Sequence, residues 1–438
     1  MVFSRLFKSS RDAQPAGADP QPDDTDSAGQ SDDPDASDAL PDLTWHERAL
    51  AVLPTGSSTG SKRMEALWGT ADAHAPSHFV NASGCRVTTV DDETLIDCTM
   101  ALGSVALGYA DERVTSAIVA TLTGGNVAGL PHAIEVDVAE RFCEAVPCAE
   151  KVQFLKTGAE AVAAAVRLAR AYTGRTRVIG CGYFGWLDWC TGEPGVPDGV
   201  RSQYTTIPFD DLTALERAVT AAGSDLAAIV LEPVIEAFPS EAWIARAREL
   251  ATTTGAALIF DEIKTGFRIA PGGYQEYSGI TPDLAVFGKA LANGFPLSAV
   301  CGNAALMDTA RKNWISSTLA SEATALAAAR VVLQLHSDKD ICADLARAGA
   351  DMRTAVSNAV RASRVPGISF GGIDPMWFLG FDSPELETRF LTAAAASGVL
   401  LKRGPYNFGS LAHDAETIHE IESCTSNALV EMRREDEA

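Results

Sequence analysis

Two residues of this chain stand where chemistry is most readily built. Asp261 closes the apolar run Leu258-Ile259-Phe260, and Lys289 follows Leu284-Ala285-Val286-Phe287 and Gly288. Both runs read as buried strands, and in an open α/β sheet ligands gather at the carboxyl ends of such strands. An amine placed there can condense with an aldehyde to form a Schiff base. A carboxylate placed there can keep a pyridine nitrogen protonated, so that the ring accepts electrons. Taken singly, Asp261 reads equally as a solvated turn residue and Lys289 as the first residue of a helix. Together, each at a strand end, they point to pyridoxal-phosphate chemistry.

Several other clusters carry possible chemistry beside an ordinary structural reading. Val152-Gln153-Phe154-Leu155 leads into Lys156-Thr157-Gly158-Ala159-Glu160-Ala161 and an Ala/Arg-rich helical stretch. A small-residue turn opening a helix presents free N–H groups to a phosphate, and it is also a plain N-cap. The aromatic cluster Tyr183-Phe184-Gly185-Trp186-Leu187-Asp188-Trp189 follows the strand candidate Val178-Ile179-Gly180 and by itself reads as core. Ala227-Ala228-Ile229-Val230-Leu231 ends in Glu232-Pro233, a strand end and turn. Ser316-Ser317-Thr318-Leu319 precedes an alanine-rich helix as an N-cap would. Arg63 closes the loop Thr55 to Arg63; it reads as a surface residue whose planar fork also suits a carboxylate.

The run Asp261-Glu262-Ile263-Lys264-Thr265-Gly266-Phe267-Arg268, followed by Lys289, resembles the signature of class III aminotransferases. The branch it is most similar to is that of glutamate-1-semialdehyde aminomutase, and the resemblance runs from about Leu43 to Ala428. It implies an α/β enzyme of fold type I, with a large domain on a mostly parallel sheet of seven-stranded type and a small α/β domain. It implies pyridoxal 5'-phosphate as cofactor, with Lys289 as Schiff-base lysine and proton shuttle and Asp261 as partner of the pyridinium nitrogen. Thr157, Gly158 and Ala159 resemble the family's phosphate cup. Tyr183 or Phe184 takes the place of the ring that stacks on the pyridine face; the histidine common in that triplet is absent, with Phe184 in its place. Glu232 falls near the cofactor's hydroxyl side. Thr318 falls in the segment that the neighbouring subunit of a homodimer sends to the phosphate, and Arg63 where the aminomutases carry a carboxylate-binding arginine.

The implied activity is transfer of an amino group from an amino-acid donor to a keto or aldehyde acceptor, both small molecules. An aminomutase or epimerase shares the same first proton transfer, and a non-catalytic binding scaffold is the reading from another class. Two departures count against the mutase reaction. Ala292-Asn293-Gly294-Phe295-Pro296 stands where mutases show Gly-Gly-Gly-Leu-Pro, and Thr318-Leu319-Ala320-Ser321-Glu322-Ala323 where they show Thr-Leu-Ser-Gly-Asn-Pro.

Alternating elements must position these residues. The patterns predict helices near Ala133–Ala145, Ala159–Tyr172, Leu212–Ala222 and Glu241–Thr253. They predict strands near Val152–Leu155, Arg177–Gly180, Ala228–Leu231, Ala257–Phe260, Leu284–Phe287 and Ser298–Cys301. A small antiparallel sheet is expected through Cys85–Val90 and Thr94–Cys98, and C-terminal helices through Leu345–Arg361 and Ala415–Met432 around strands near Trp377–Phe381 and Val399–Leu401. The expected division is a disordered acidic tail over 1–42, a small-domain segment over 43–111, the large cofactor domain over 112–336 and the rest of the small domain over 337–438.

Bulk properties narrow the class. The 438 residues are 46% hydrophobic with a formal charge of −23, which disfavours nucleic acid because phosphate neutralisation needs a basic stripe. No apolar stretch reaches the roughly 18 residues of a membrane span. Nine cysteines are scattered without a C-x-x-C pair, which suits a reducing, cytoplasmic setting without structural zinc. Met1 to Arg11, basic and partly apolar, is too short for a signal-peptide core. Gly56 to Lys62 lacks phosphate-loop spacing, and no G-x-G-x-x-G opens a helix, which disfavours nucleotide hydrolases and nicotinamide enzymes.

Overall fold

Strands at the centre of the molecule follow from runs in which every residue is apolar, and such runs are stable only when both faces of a sheet are covered. The computed structural model describes residues 43–71 and 73–437; the tail expected over 1–42 lies outside them. Its main sheet has seven strands: β1 (Lys151–Leu155), β2 (Arg177–Cys181), β3 (Tyr204–Thr206), β4 (Leu226–Leu231), β5 (Ala257–Asp261), β6 (Leu284–Phe287) and β7 (Ser298–Gly302). The spatial order is β1-β7-β6-β5-β4-β2-β3. Only β7 runs against the rest, antiparallel to β1 and β6.

Side-chain alternation divides this sheet between two cores. Leu258 and Phe260 of β5 pack with Ile229 and Leu231 of β4 and with Trp243 of the helix Glu241–Thr254. Ala257 and Ile259 point the other way, to Ala228, Val230 and the Val162 and Val166 side of the helix Gly158–Thr173. That helix lies across β4, β6 and β7, while Glu241–Thr254 covers β4 and β5 on the other face. Every residue of β4, β5 and β6 is buried. Burying one such Leu or Phe contributes about 1.5–3 kcal/mol, so these strands hold the sheet's centre rigidly.

The predicted strands all form, and one more joins them. Tyr204–Thr206 is a three-residue edge strand with half-buried and exposed positions, parallel to β2. Its polarity and shortness hide it from any periodicity test. The expected small sheet is also larger: Phe79–Ser83 precedes Arg86–Thr89 and Thr94–Asp97, and Val399–Leu400 from the C-terminal region adds in parallel to Thr94–Asp97. A second sheet, Ile368–Ile373, Met376–Phe381 and Asn407–Phe408, packs with the long helix Ile341–Ser363, against which the C-terminal helix Ala415–Glu437 lies.

Just past β5 a fully buried carboxylate organises the following loop. Glu262 accepts the N–H groups of Tyr274 at 2.8 Å and Gln275 at 3.0 Å, and the hydroxyl of Thr265. Burial pushes its carboxyl from 4.5 up to about 7. Between those values the folded chain holds a proton that the unfolded chain has released, so this group's contribution to stability falls as pH rises through the window. Glu262→Ala strands three buried donors and is expected to cost about 3 kcal/mol in urea unfolding at pH 7. Glu262→Gln, which keeps a carbonyl acceptor, is expected to cost less and to remove the group's pH slope between pH 5 and 7.5; equal unfolding midpoints for Ala and Gln variants would refute this account.

Candidate active site

Adjacent parallel strands carry the two residues with which the sequence reading began. Register sets Asp261 at the end of β5 beside Val286 of β6, and the Glu262 N–H donates to the Val286 carbonyl at 2.9 Å. Lys289 thus leaves the neighbouring strand one turn further on. Gly288 is extended, whereas Lys289 takes φ 46, a left-handed conformation that costs a non-glycine residue about 1–2 kcal/mol. The tight turn Lys289–Ala292 is held there by its buried apolar residues and by Asn293. The Asn293 amide accepts the Leu107 N–H at 2.9 Å and donates to the Gly108 carbonyl at 3.1 Å.

A cavity of about 420 Å³ opens at these strand ends. It brings Lys289 and Asp261 together with Thr157, Gly158 and Ala159, with Tyr183 and Phe184, and with Glu232. Thr318 and Arg63 are not among its lining residues. Thr318 lies in an exposed loop before the helix Ala323–Asp338. The short turn Gly60–Lys62 puts Lys62 on a second, adjoining cavity of about 490 Å³, while exposed Arg63 lies outside both. The two cavities share Ser104, Lys289, Gly294 and Phe295, so the second is the mouth of the first.

At one end stands the N-terminus of the sixteen-residue helix Gly158–Thr173. Thr157 and Glu160 close a capping box, each accepting the other's backbone N–H. The N–H groups of Gly158 and Ala159 find no acceptor among the described residues. A side chain at Gly158 would place Cβ 2.6 Å from Ile263 Cδ1, and one at Gly185 would place it 2.4 Å from Ala159 Cβ. This is a bare backbone cradle with a positive dipole end, suited to a phosphate. Of the two aromatic candidates, Phe184 is buried and stacks on Trp189 at 5.8 Å between ring centroids. Tyr183 is 76% exposed, a ring free to cover a planar ligand in the cavity.

Electrostatics set the floor. Burial, and then the Glu232 carboxylate, raise the Asp261 carboxyl above its ordinary range. Burial, and then the Lys264 ammonium, lower the proton affinity of Lys289. Lys264 also lines this cavity, although no sequence pattern singles it out within the run Asp261–Arg268. It is buried, forms an ion pair with Glu232, lies 3.2 Å from the Tyr406 hydroxyl and sits 4.4 Å over the Tyr406 ring. The Tyr406 hydroxyl donates to the Ile235 carbonyl, and Glu232 also accepts the Tyr183 N–H at 3.1 Å.

The arrangement fits pyridoxal phosphate: an amine, a buried carboxylate, an unpaired helix N-terminus and a free ring face line one cavity. Comparison with known proteins agrees. The Aminotransferase class-III family profile matches residues 69–192 and 194–412, and the chain belongs to that family. Glutamate-1-semialdehyde 2,1-aminomutase of Methanothermobacter thermautotrophicus is 35% identical over 329 residues, 70% of this chain and 76% of that protein. The 3-aminobutyryl-CoA aminotransferase of Cloacimonas acidaminovorans is 30% identical over 410 residues, covering 90% and 97%. Among solved structures, the FumI protein of Sphingopyxis sp. MTA144, in its PLP internal aldimine form, superposes with TM-score 0.85 at 27% identity, covering 90% of this chain and 97% of that one. The fold is that of fold-type-I transaminases, and the chain is a pyridoxal-phosphate-dependent aminotransferase of class III.

Tyr406 ties this wall together from a distant part of the chain. Tyr406→Phe removes the hydroxyl that Lys264 and Ile235 share, and is expected to destabilise the chain by about 1–2 kcal/mol in chemical unfolding. A loss below about 0.3 kcal/mol would mean the hydroxyl's contacts carry no weight.

Proposed function

We propose that this chain transfers an amino group between two separate molecules, from an amino-acid donor to a carbonyl acceptor, as a cytoplasmic homodimer. The observation that carries the reading is the confinement of Lys289, Asp261 and the free N–H groups of Gly158 and Ala159 to one cavity. When bound, pyridoxal phosphate supplies a ring that takes up the electron pair left on a substrate carbon as its proton departs. Gly158 and Ala159 would hold its phosphate, with Thr157 at the cap; Tyr183, backed by Phe184 from the core, would face the ring, and Asp261 would keep its nitrogen protonated. The Lys289 amine, of lowered proton affinity, accepts the substrate proton at Nζ and returns it on the other side of the reaction. Glu232, tied to Lys264, borders the same cavity.

Mouth residues favour intermolecular transfer over the mutase reaction. A mutase has to retain its intermediate between half-reactions, and of the positions that depart from the mutase pattern Asn293 and Phe295 line this opening. Phe295 lines both cavities, Asn293 pins the turn to Leu107 and Gly108, and Glu322 pairs with Lys156 at 2.9 Å. At the mouth, Lys62 takes the place expected for Arg63 as a cation for the donor carboxylate. Dimerisation is supported by exposed apolar side chains beside Thr318 and the cavity. Trp314 is 89% exposed, with Leu319 and Trp186 also open. In such a dimer Thr318 would serve the partner's phosphate site. A small domain drawn from both ends of the chain is supported by Val399–Leu400 pairing with Thr94–Asp97 in one small sheet.

The visible absorbance of the purified chain with pyridoxal phosphate tests the reading. A band that bleaches with one amino acid and returns with a keto acid or aldehyde is expected; a band indifferent to every amino acid yet altered by a diamine or amino-aldehyde would favour the mutase. Lys289→Ala is expected to lose at least about 10³-fold in turnover with an unchanged circular dichroism spectrum. Asp261→Asn is expected to retain cofactor and lose about 10²-fold or more, and full activity in either variant would defeat the assigned role.

A further inference from the structure

A second lysine in a cavity already served by Lys289 calls for a physical reason, because each buried ammonium costs solvation. Lys264 is as buried as a core residue, yet it faces the same space as Lys289 and Asp261. It is held on three sides, by the Glu232 carboxylate, by the Tyr406 hydroxyl at 3.2 Å and by the Tyr406 ring face at 4.4 Å. Tyr406 is itself fixed through the Ile235 carbonyl. The clamp joins the end of β4, the loop after β5 and the C-terminal region, so the charge has little freedom to withdraw.

We propose that Lys264 is a positioning residue that keeps the Lys289 amine neutral, both by facing it with a fixed cation and by occupying the carboxylate of Glu232. The charged groups acting on Lys289 are Asp261 and Glu232 on one side and Lys264 and Arg268 on the other. Without Lys264, Glu232 would have no cation partner and would favour a protonated Lys289. With it, the cavity's other acid, Asp261, is left for the ring nitrogen. An amine that must accept a proton from a substrate carbon works only when it is neutral, and a neighbouring cation is a general means of ensuring this at neutral pH. The inference rests on the proposed role of Lys289, but it concerns a residue to which that role assigns nothing.

The test reads the proton state of Lys289 directly. In the full-length, cofactor-free chain, the rate at which trace acetic anhydride acetylates Lys289 is followed against pH by mass spectrometry of the Lys289 peptide. Lys264→Met is expected to raise the midpoint by about one pH unit or more, the scale of a unit charge acting across a few ångströms of partly buried protein. Lys264→Arg is expected to stay near the wild-type midpoint, and Lys264→Met with Glu232→Gln to fall between. If Lys264→Met does not fold, Lys264→Gln, which loses the charge but keeps a donor toward Glu232, is expected to move the midpoint the same way. A midpoint unmoved in a folded, charge-neutral variant overturns the proposal, because an ion pair of purely structural value would alter stability and not Lys289. The visible band formed with pyridoxal phosphate separates the two readings. A shifted midpoint without any band keeps the coupling and discards the cofactor role, whereas a normal band with an unmoved midpoint does the reverse.

Discussion

The cavity at the strand ends is organised by the cost of keeping ionisable groups dry. Asp261 and Lys289 lie at the ends of strands whose own residues are fully buried, and burial moves the proton affinity of both, up for the acid and down for the amine. Parallel packing places them together: β5 and β6 end at the same edge, and one register decides that an acid and an amine meet. The surrounding charges are then arranged in pairs. Lys264 pairs with Glu232 and Lys156 with Glu322, so the nearest other acid in the cavity is engaged by a cation and not by Lys289.

Much of this was legible because burial writes itself as composition. Runs such as Leu226–Leu231 and Leu284–Phe287 are apolar at every position, which marks strands covered on both faces, and the candidate site residues Glu232 and Lys289 come just after them. The small-residue turn Thr157-Gly158-Ala159 was legible as a helix start, and only the family resemblance pointed it to a phosphate. What escaped is what depends on distance in the chain. Tyr406 reaches Lys264 across 142 positions, and no local pattern announces such a contact. Lys264 stood in the quoted signature, but its meaning comes from Glu232 on another strand end. Arg63 and Lys62 differ by a single position in a turn, a resolution that a loop without periodicity does not offer. Tyr204–Thr206 was missed because an edge strand needs little apolar surface.

The cavity's chemistry and its mouth rest on different parts of the chain, and this bears on what the enzyme accepts. Relatives named for a mutase and for an aminotransferase fall within one family, so the inner cavity alone cannot define the substrate. The mouth is lined by Ala101 and Leu102, and the backbone there is unusual: Met100, Ala101 and Leu102 take φ 44, 50 and 58, followed by Gly103 at 80. A run of left-handed residues costs about 1–2 kcal/mol for each that is not glycine, and survives only where surrounding contacts over-determine it.

Arg268 is the contact that does so. Its buried guanidinium donates to the Gly103 carbonyl at 2.7 Å and the Gly409 carbonyl at 3.2 Å, and lies 4.7 Å over the Phe408 ring, while a Cβ at Gly103 would come within 2.7 Å of that same ring. Arg268 belongs to the loop that begins at Asp261, so the residue run that places the acid also fixes the strained lip of the mouth through one side chain. Burial lowers the proton affinity of this guanidinium to about 10, still far above neutrality, so the link remains charged wherever the enzyme works. The donor that enters must therefore fit a lip held rigidly to the catalytic floor, and changes in acceptance are to be sought among Lys62, Ala101, Leu102 and Phe295, whose side chains face that opening, and not in the pair at the strand ends.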